Sequence, residues 1–212
     1  MQEAGICKRI HGGAVLVQSE ELSIWKNRYP PEKSIDAPQM ASIAERTARL
    51  IAPGSCIYLD AGNTMAQLAQ YIKNIPDLMV LTPNPTVINE LARTQVRLIL
   101  LGGELVRDKK GFIVNRLVTL DDYALDMAFI SCAGLDLNHG IVMEYDDYGV
   151  PRETIRGLAK KLVLVANSEK MNKKSFINAC PLSFIDIVVV DSGIRKQDRE
   201  LLSGSGIEVV LA

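Results

Sequence analysis

Residues 56–72, CIYLDAGNTMAQLAQYI, constrain the fold more than any other stretch of the 212-residue chain. Cys56 to Leu59 is a short apolar run with strand character. Asp60-Ala61-Gly62-Asn63-Thr64 is a turn of small and polar residues. From Thr64 onward Met65, Leu68, Ala69 and Ile72 recur at i, i+3, i+4 and i+7, one stripe of a helix. A buried strand thus passes through a glycine turn into a helix N-terminus. Free backbone N–H groups and a partial positive charge collect there. With Gly62 allowing close approach and Asn63 and Thr64 adding donors, the turn could hold a phosphate, and Asp60 would sit over the same crevice. The plainer alternative is an ordinary βα turn with Asn63 or Thr64 as N-cap.

The same alternation recurs along the chain. A helix is expected from Asp36, with Met40, Ile43, Ala44, Thr47, Leu50 and Ile51 on one face and Pro53-Gly54 ending it. Strands are expected at 78–82, 96–101, 126–132, 162–166, 185–190 and 207–211. Helices are expected after Pro83-Asn84-Pro85, over 151–161 and over 195–203. Residues 105–122 are of mixed charge and weak periodicity, and 140–149 read as acidic and irregular. Short strands alternating with helices predict an α/β fold, a mostly parallel sheet with helices on both faces. Asp60, Asn84, Glu104, Asp136 and Lys170 follow the strands, where such sheets bind ligands. Five polar βα loops favour a small-anion site.

Composition narrows the class. With 48% hydrophobic and 23% charged residues the chain can bury a core, and a formal net charge of -1 offers no general affinity for nucleic acid or membrane. Cys7, Cys56, Cys132 and Cys180 are far apart and form no C-x-x-C pair, which predicts buried free thiols in a reducing cytoplasm. No apolar run approaches membrane-spanning length. The lack of a G-x-G-x-x-G after a first strand and of a Walker A pattern disfavours a nucleotide, and the chain is read with neither cofactor nor metal.

Several motifs resemble the DeoR family of bacterial transcriptional regulators. Cys7 to Val15, CKRIHGGAV, is similar to the end of that family's winged helix-turn-helix. Leu59 to Thr64, LDAGNT, resembles its L-D-S/A-G-T-T. Then LGGE (101–104), FISCAGLD (129–136), GIVM (140–143) and NSEKM (167–171, for the family's D-S-S-K-F) follow in the family's order. The resemblance spans essentially the whole chain. It implies a remnant of the DNA-binding domain at 1–18, a linker at 19–35 and an effector-sensing domain at 36–212, with a fold like ribose-5-phosphate isomerase. It also implies a phosphorylated-sugar effector, a homodimer or homotetramer, and operator DNA contacted only through a helix-turn-helix expected before Cys7.

Carried over by position, Asp60, Gly62, Asn63 and Thr64 hold the effector near its phosphate, with Asp136 and Lys170 across the crevice. Asn84 and Gly103, after the next two strands, complete the expected set. Three departures stand out. Asn63 replaces a hydroxyl residue, Pro83 removes a backbone donor, and GVPR (149–152) alters an acidic residue and an E-x-K-like spacing. An isomerase is the alternative. It needs a base near the substrate's C2 and a donor on the carbonyl oxygen. Lys170 suits the second role, but the paired carboxylates are reduced to Gly134-Leu135-Asp136, leaving Glu144, Asp146, Asp147 or Glu153 as base. The chain is therefore read as a sensor and not an enzyme.

Overall fold

The structure, a computed structural model, describes residues 7–10, 13–16, 37–106, 111–114, 122–144 and 150–212. The chain divides into two units, Met1–Ile35 and Asp36–Ala212. In the first, β1 (Cys7–Ile10) and β2 (Gly13–Leu16) pair antiparallel, Cys7 opposite Leu16. The linker expected at 19–35 lies outside the described residues.

The second unit is built on seven parallel strands. They are β3 (Cys56–Leu59), β4 (Met79–Thr82), β5 (Arg97–Leu100), β8 (Leu125–Ile130), β11 (Ala159–Val165), β13 (Ile187–Val190) and β14 (Glu208–Leu211). Their order across the sheet is β14-β13-β11-β8-β3-β4-β5. Both faces are covered, so the strands read as near-continuous apolar runs. Alternate residues enter different cores. Ile57, Leu59, Phe129, Val163, Val165 and Val189 pack with Ile43, Met65, Leu68 and Val87 from α1 (Ala37–Ala48), α2 (Asn63–Ile72) and α3 (Pro85–Leu91). Tyr58, Ala128, Ile130, Leu162, Leu164 and Val188 enter the other core with Ile155 of α4 (Arg152–Leu158) and Leu202 of α5 (Lys196–Gly204).

The helical stripe of α2 is as expected, with Met65, Leu68, Ala69 and Ile72 fully buried. Other elements differ from the sequence reading. The helix expected over 151–161 ends at Leu158. From Ala159 the chain is already strand, because Ala159 and Lys161 pair with Leu125 and Met127 of β8. The second face is not covered by helices alone. A three-stranded antiparallel sheet, β9 (Gly134–Asp136), β10 (Ile141–Glu144) and β12 (Ile177–Pro181), contributes Leu135, Val142 and Cys180 to that core. Part of the acidic stretch is therefore strand. β6 (Gly103–Val106) and β7 (Gly111–Val114) form a hairpin where no element was expected.

Gly134 makes the junction possible. A Cβ there would fall 2.0 Å from the Lys173 carbonyl oxygen, so only glycine fits beneath that crossing.

Candidate functional site

Strand order locates the crevice. From β3 the chain lays down β4 and β5 to one side. It then returns to place β8 on β3's other flank and continues through β11, β13 and β14. The direction of winding switches between β3 and β8, and open α/β sheets bind ligands beyond the carboxyl ends of strands at such a point. Two loops meet there, Asp60–Gly62 and Ser131–Ala133. The Ser131 hydroxyl donates to the Ala61 carbonyl at 3.4 Å.

Gly62 shapes this crevice. Its φ of 114° with ψ of 167° lies in a region essentially confined to glycine. A Cβ would lie 3.3 Å from Ser131 Oγ. Gly62 is also the N-cap of α2, and no side chain caps that helix. Asn63 and Thr64 are therefore its first two residues rather than its cap. The first-turn N–H groups face the end of the helix where an anion is favoured. Asn63 is exposed and Thr64 half-buried.

Asp60 is 4% exposed and both its oxygens are engaged. The Tyr58 hydroxyl donates to Oδ1 at 2.9 Å, and Arg152 Nη1 lies 2.8 Å from Oδ2. Arg152 Nη2 in turn lies 2.9 Å from Glu144 Oε1. One guanidinium at the start of α4 thus joins the end of β3 to the end of β10. Burial opposes the charge on Arg152, but Asp60 and Glu144 outweigh it and hold the group more firmly protonated than usual. Burial, reinforced by Asp60, pushes the Tyr58 phenol well up. Asp60 therefore positions an arginine instead of presenting a bare carboxylate. Arg152 was not among the residues expected from the sequence. Its only signal was a lone arginine after a proline, in the stretch that departs from the family pattern.

Asn84 is 1% exposed and internally bonded. Its Oδ1 accepts from the N–H groups of Thr86 and Val87 at 3.0 and 3.4 Å, capping α3. Its Nδ2 donates to the Gly62 carbonyl at 2.9 Å. This side chain, expected from the sequence to touch effector, clasps the β3 loop to α3. Gly103 opens β6 opposite Val114, and Asp136 closes β9. The Asp136 carboxylate accepts from the His139 N–H at 3.1 Å and faces His139 Nδ1 at 2.9 Å, contacts that hold it below the usual carboxylate range.

Lys170 ends a 3-10 turn, Ser168–Lys170, and is 7% exposed, uncommon for a lysine. Asp191 pins the turn, accepting from Ser168 N–H at 2.6 Å and Ser168 Oγ at 2.7 Å. A parallel bridge between Leu135 and Met171 fastens it to β9. Cys132, beside Ser131, reports what surrounds it. Burial pushes its thiol far up and Glu144 adds to that, while Lys170 and Arg152 pull it down. The structure thus gathers Lys170, Arg152 and Glu144 around the β8 loop and, through Arg152, Asp60. Among the described residues no cluster of His, Cys, Asp or Glu is suited to a metal. Of the four acids considered as an isomerase base, Glu144 is tied to Arg152, Glu153 is exposed on α4, and Asp146 and Asp147 lie outside the described residues.

The family model described as the DeoR C terminal sensor domain matches residues 36–192. The chain belongs to the DeoR family. The relatives it matches are transcriptional regulators, several of them repressors. The putative aga operon transcriptional repressor of Escherichia coli O157:H7 is 27% identical over 213 residues, covering 100% of this chain and 79% of that protein. The glycerol-3-phosphate regulon repressor of Escherichia coli strain K12 is 29% identical over 216 residues, covering 100% and 83%. Among solved structures the probable sor operon regulator from Shigella flexneri shares the fold. Its TM-score is 0.53 at 15% identity, covering 80% of this chain and 89% of that one. The DeoR domain is thus a sensor domain of a transcriptional regulator and not an enzyme. None of its helices among the described residues is long and apolar enough to cross a membrane.

Proposed function

We propose that this DeoR sensor domain binds a phosphorylated sugar or a related small phosphorylated metabolite in the β3–β8 crevice, and that binding sets the DNA affinity of the regulator. The observation that carries the reading is Gly62: a glycine-only conformation that opens a ten-residue helix with no side-chain cap, at the winding switch point. Gly62, Asn63 and Thr64 grip the phosphate. Lys170 and Arg152 supply positive charge, Asp60 and Asn84 hold the framework, and Gly103 and Asp136 border the site. A relative named as the repressor of the glycerol-3-phosphate regulon supports a phosphorylated ligand. The antiparallel hairpin at Cys7–Leu16 supports reading 1–18 as the wing of a DNA-binding domain, joined by a linker at 19–35 to the sensor at 36–212. The regulator acts in the cytoplasm as a homodimer or homotetramer, since DNA half-sites are read by symmetric proteins.

Calorimetry with glycerol 3-phosphate, ribose 5-phosphate, glucose 6-phosphate and fructose 6-phosphate, with inorganic phosphate as control, tests this. At least one organic phosphate binds in the micromolar to millimolar range, roughly -8 to -4 kcal/mol. Lys170→Ala or Thr64→Ala weakens it about ten- to a hundredfold, the loss of one charge-assisted hydrogen bond. Absence of binding by every organic phosphate, or variants that bind like wild type, overturns the reading.

A further inference from the structure

The loop after β11 buries a polar atom with nothing to bond. Asn167 is 3% exposed, and its Oδ1 has no hydrogen-bond partner. Its main-chain carbonyl is used, accepting from the Lys170 N–H at 3.0 Å. Buried acceptors are nearly always paired, so an orphan calls for an explanation. The other such atom among the described residues is Ser175 Oγ, in a residue that is only half-buried, between exposed Lys174 and Phe176. Asn167 has no such exposure.

Its place in the fold is specific. Ala166 N–H still bonds the Val189 carbonyl at 3.1 Å, so Asn167 is the first residue past the carboxyl edge of β11. β11 is the strand next to β8, and the turn that Asn167 opens carries Lys170, whose charge acts on Cys132 beside Ser131. Asn167 therefore stands at the edge of the sheet that forms the crevice, one strand from the switch point.

We propose that Asn167 Oδ1 recognises a hydroxyl or N–H donor on the organic part of the effector, which makes Asn167 a specificity-determining residue of the sensor. The inference rests on the phosphometabolite reading above. The dianion of a phosphate monoester cannot be the partner of this oxygen, because it carries no proton to donate and both groups are acceptors. A sugar or polyol hydroxyl can, and a site built around a buried acceptor rejects a ligand that brings no donor to it. The turn at Gly62 then reads the anion, and Asn167 reads what the anion is attached to.

The test is a ratio of affinities. Calorimetry on the full chain compares inorganic phosphate with glycerol 3-phosphate, ribose 5-phosphate and glucose 6-phosphate. Asn167→Leu, similar in size but without an acceptor, lowers the preference for the tightest organic phosphate over inorganic phosphate by about tenfold. Its affinity for inorganic phosphate stays within about twofold of wild type, as expected when no hydrogen bond to the anion is lost. Asn167→Asp retains an acceptor oxygen and retains the preference, while its added charge weakens both kinds of ligand together. Thermal melting checks the fold, and Asn167→Ala serves if the leucine variant does not fold. An unchanged preference in Asn167→Leu overturns the proposal, as do equal losses for inorganic and organic phosphate. A wild type that binds no organic phosphate better than inorganic phosphate overturns the phosphometabolite reading itself, and this one with it.

Discussion

Arg152 Nη1 sits 2.8 Å from Asp60 Oδ2, and the same guanidinium reaches Glu144. The three side chains are 11%, 6% and 21% exposed, so their charges are largely removed from water and each depends on the others. Arg152→Met strands two carboxylates and should cost about 3–5 kcal/mol in urea unfolding. Asp60→Asn leaves Arg152 paired to Glu144 and should cost less. The double variant should lose at least about 1 kcal/mol less than the sum of the singles, because the second change removes an already orphaned partner. Strict additivity would show that the pair does not couple.

Gly62 and Gly157 should respond oppositely to alanine. At Gly62 the φ of 114° and the nearby Ser131 Oγ predict a loss of about 1–3 kcal/mol. Gly157 lies inside α4, where a Cβ would meet nothing within 4 Å, so alanine there should gain about 0.5–1 kcal/mol through helix propensity. Chemical denaturation of both variants measures the contrast. A Gly62→Ala protein as stable as wild type would mean that the turn relaxes freely.

Among the described glycines, Gly134→Ala should be the most damaging substitution. The added methyl meets main-chain carbonyl rather than a movable side chain, so β9 or the 168–174 segment must shift. A loss of about 3 kcal/mol or more follows if neither yields easily. Thermal melting within a few degrees of wild type would rule this out.

Asp191 should contribute to acid sensitivity. Burial alone raises its carboxyl, but hydrogen bonds from Ser168 N–H, Ser168 Oγ, Gly193 N–H and Gln39 outweigh burial and hold it below the ordinary 3.8. A folded value below the unfolded one means stability that is present above about pH 4 and is lost as pH falls through the folded value. Asp191→Asn should therefore be less stable at pH 7 and lose less between pH 5 and about pH 2.5. The acid limb is flattened rather than removed, because Asp126 and Asp198 are also held low. An acid limb as steep as that of wild type would assign it elsewhere.

The parallel sheet was legible because its signals are local. The α2 stripe and the apolar runs of β3, β8 and β13 depend only on neighbours in sequence. β9, β10 and β12 were not legible. Runs such as GLD and INACP carry no alternation of their own, and they become strands only by pairing with each other across the chain. The turn at Gly62 and the buried lysine could be found from motif and strand position. Arg152 could not, since a lone arginine reads as a surface residue until its partners at 60 and 144 are brought beside it. Asn84 was legible as a polar residue after a strand, but not that its amide would be consumed by a helix cap and a neighbouring loop.

The Asn84 clasp has a consequence for motion. It welds the β3 turn to α3 through the hydrogen bonds of a side chain that is itself buried. The opposite bank is moored by Arg152, whose ties to Asp60 and Glu144 are the kind that a phosphate does contest. One jaw of the crevice is therefore an anvil. On the proposed reading, any change of shape on binding falls to the other jaw, formed by α4 and the small antiparallel sheet.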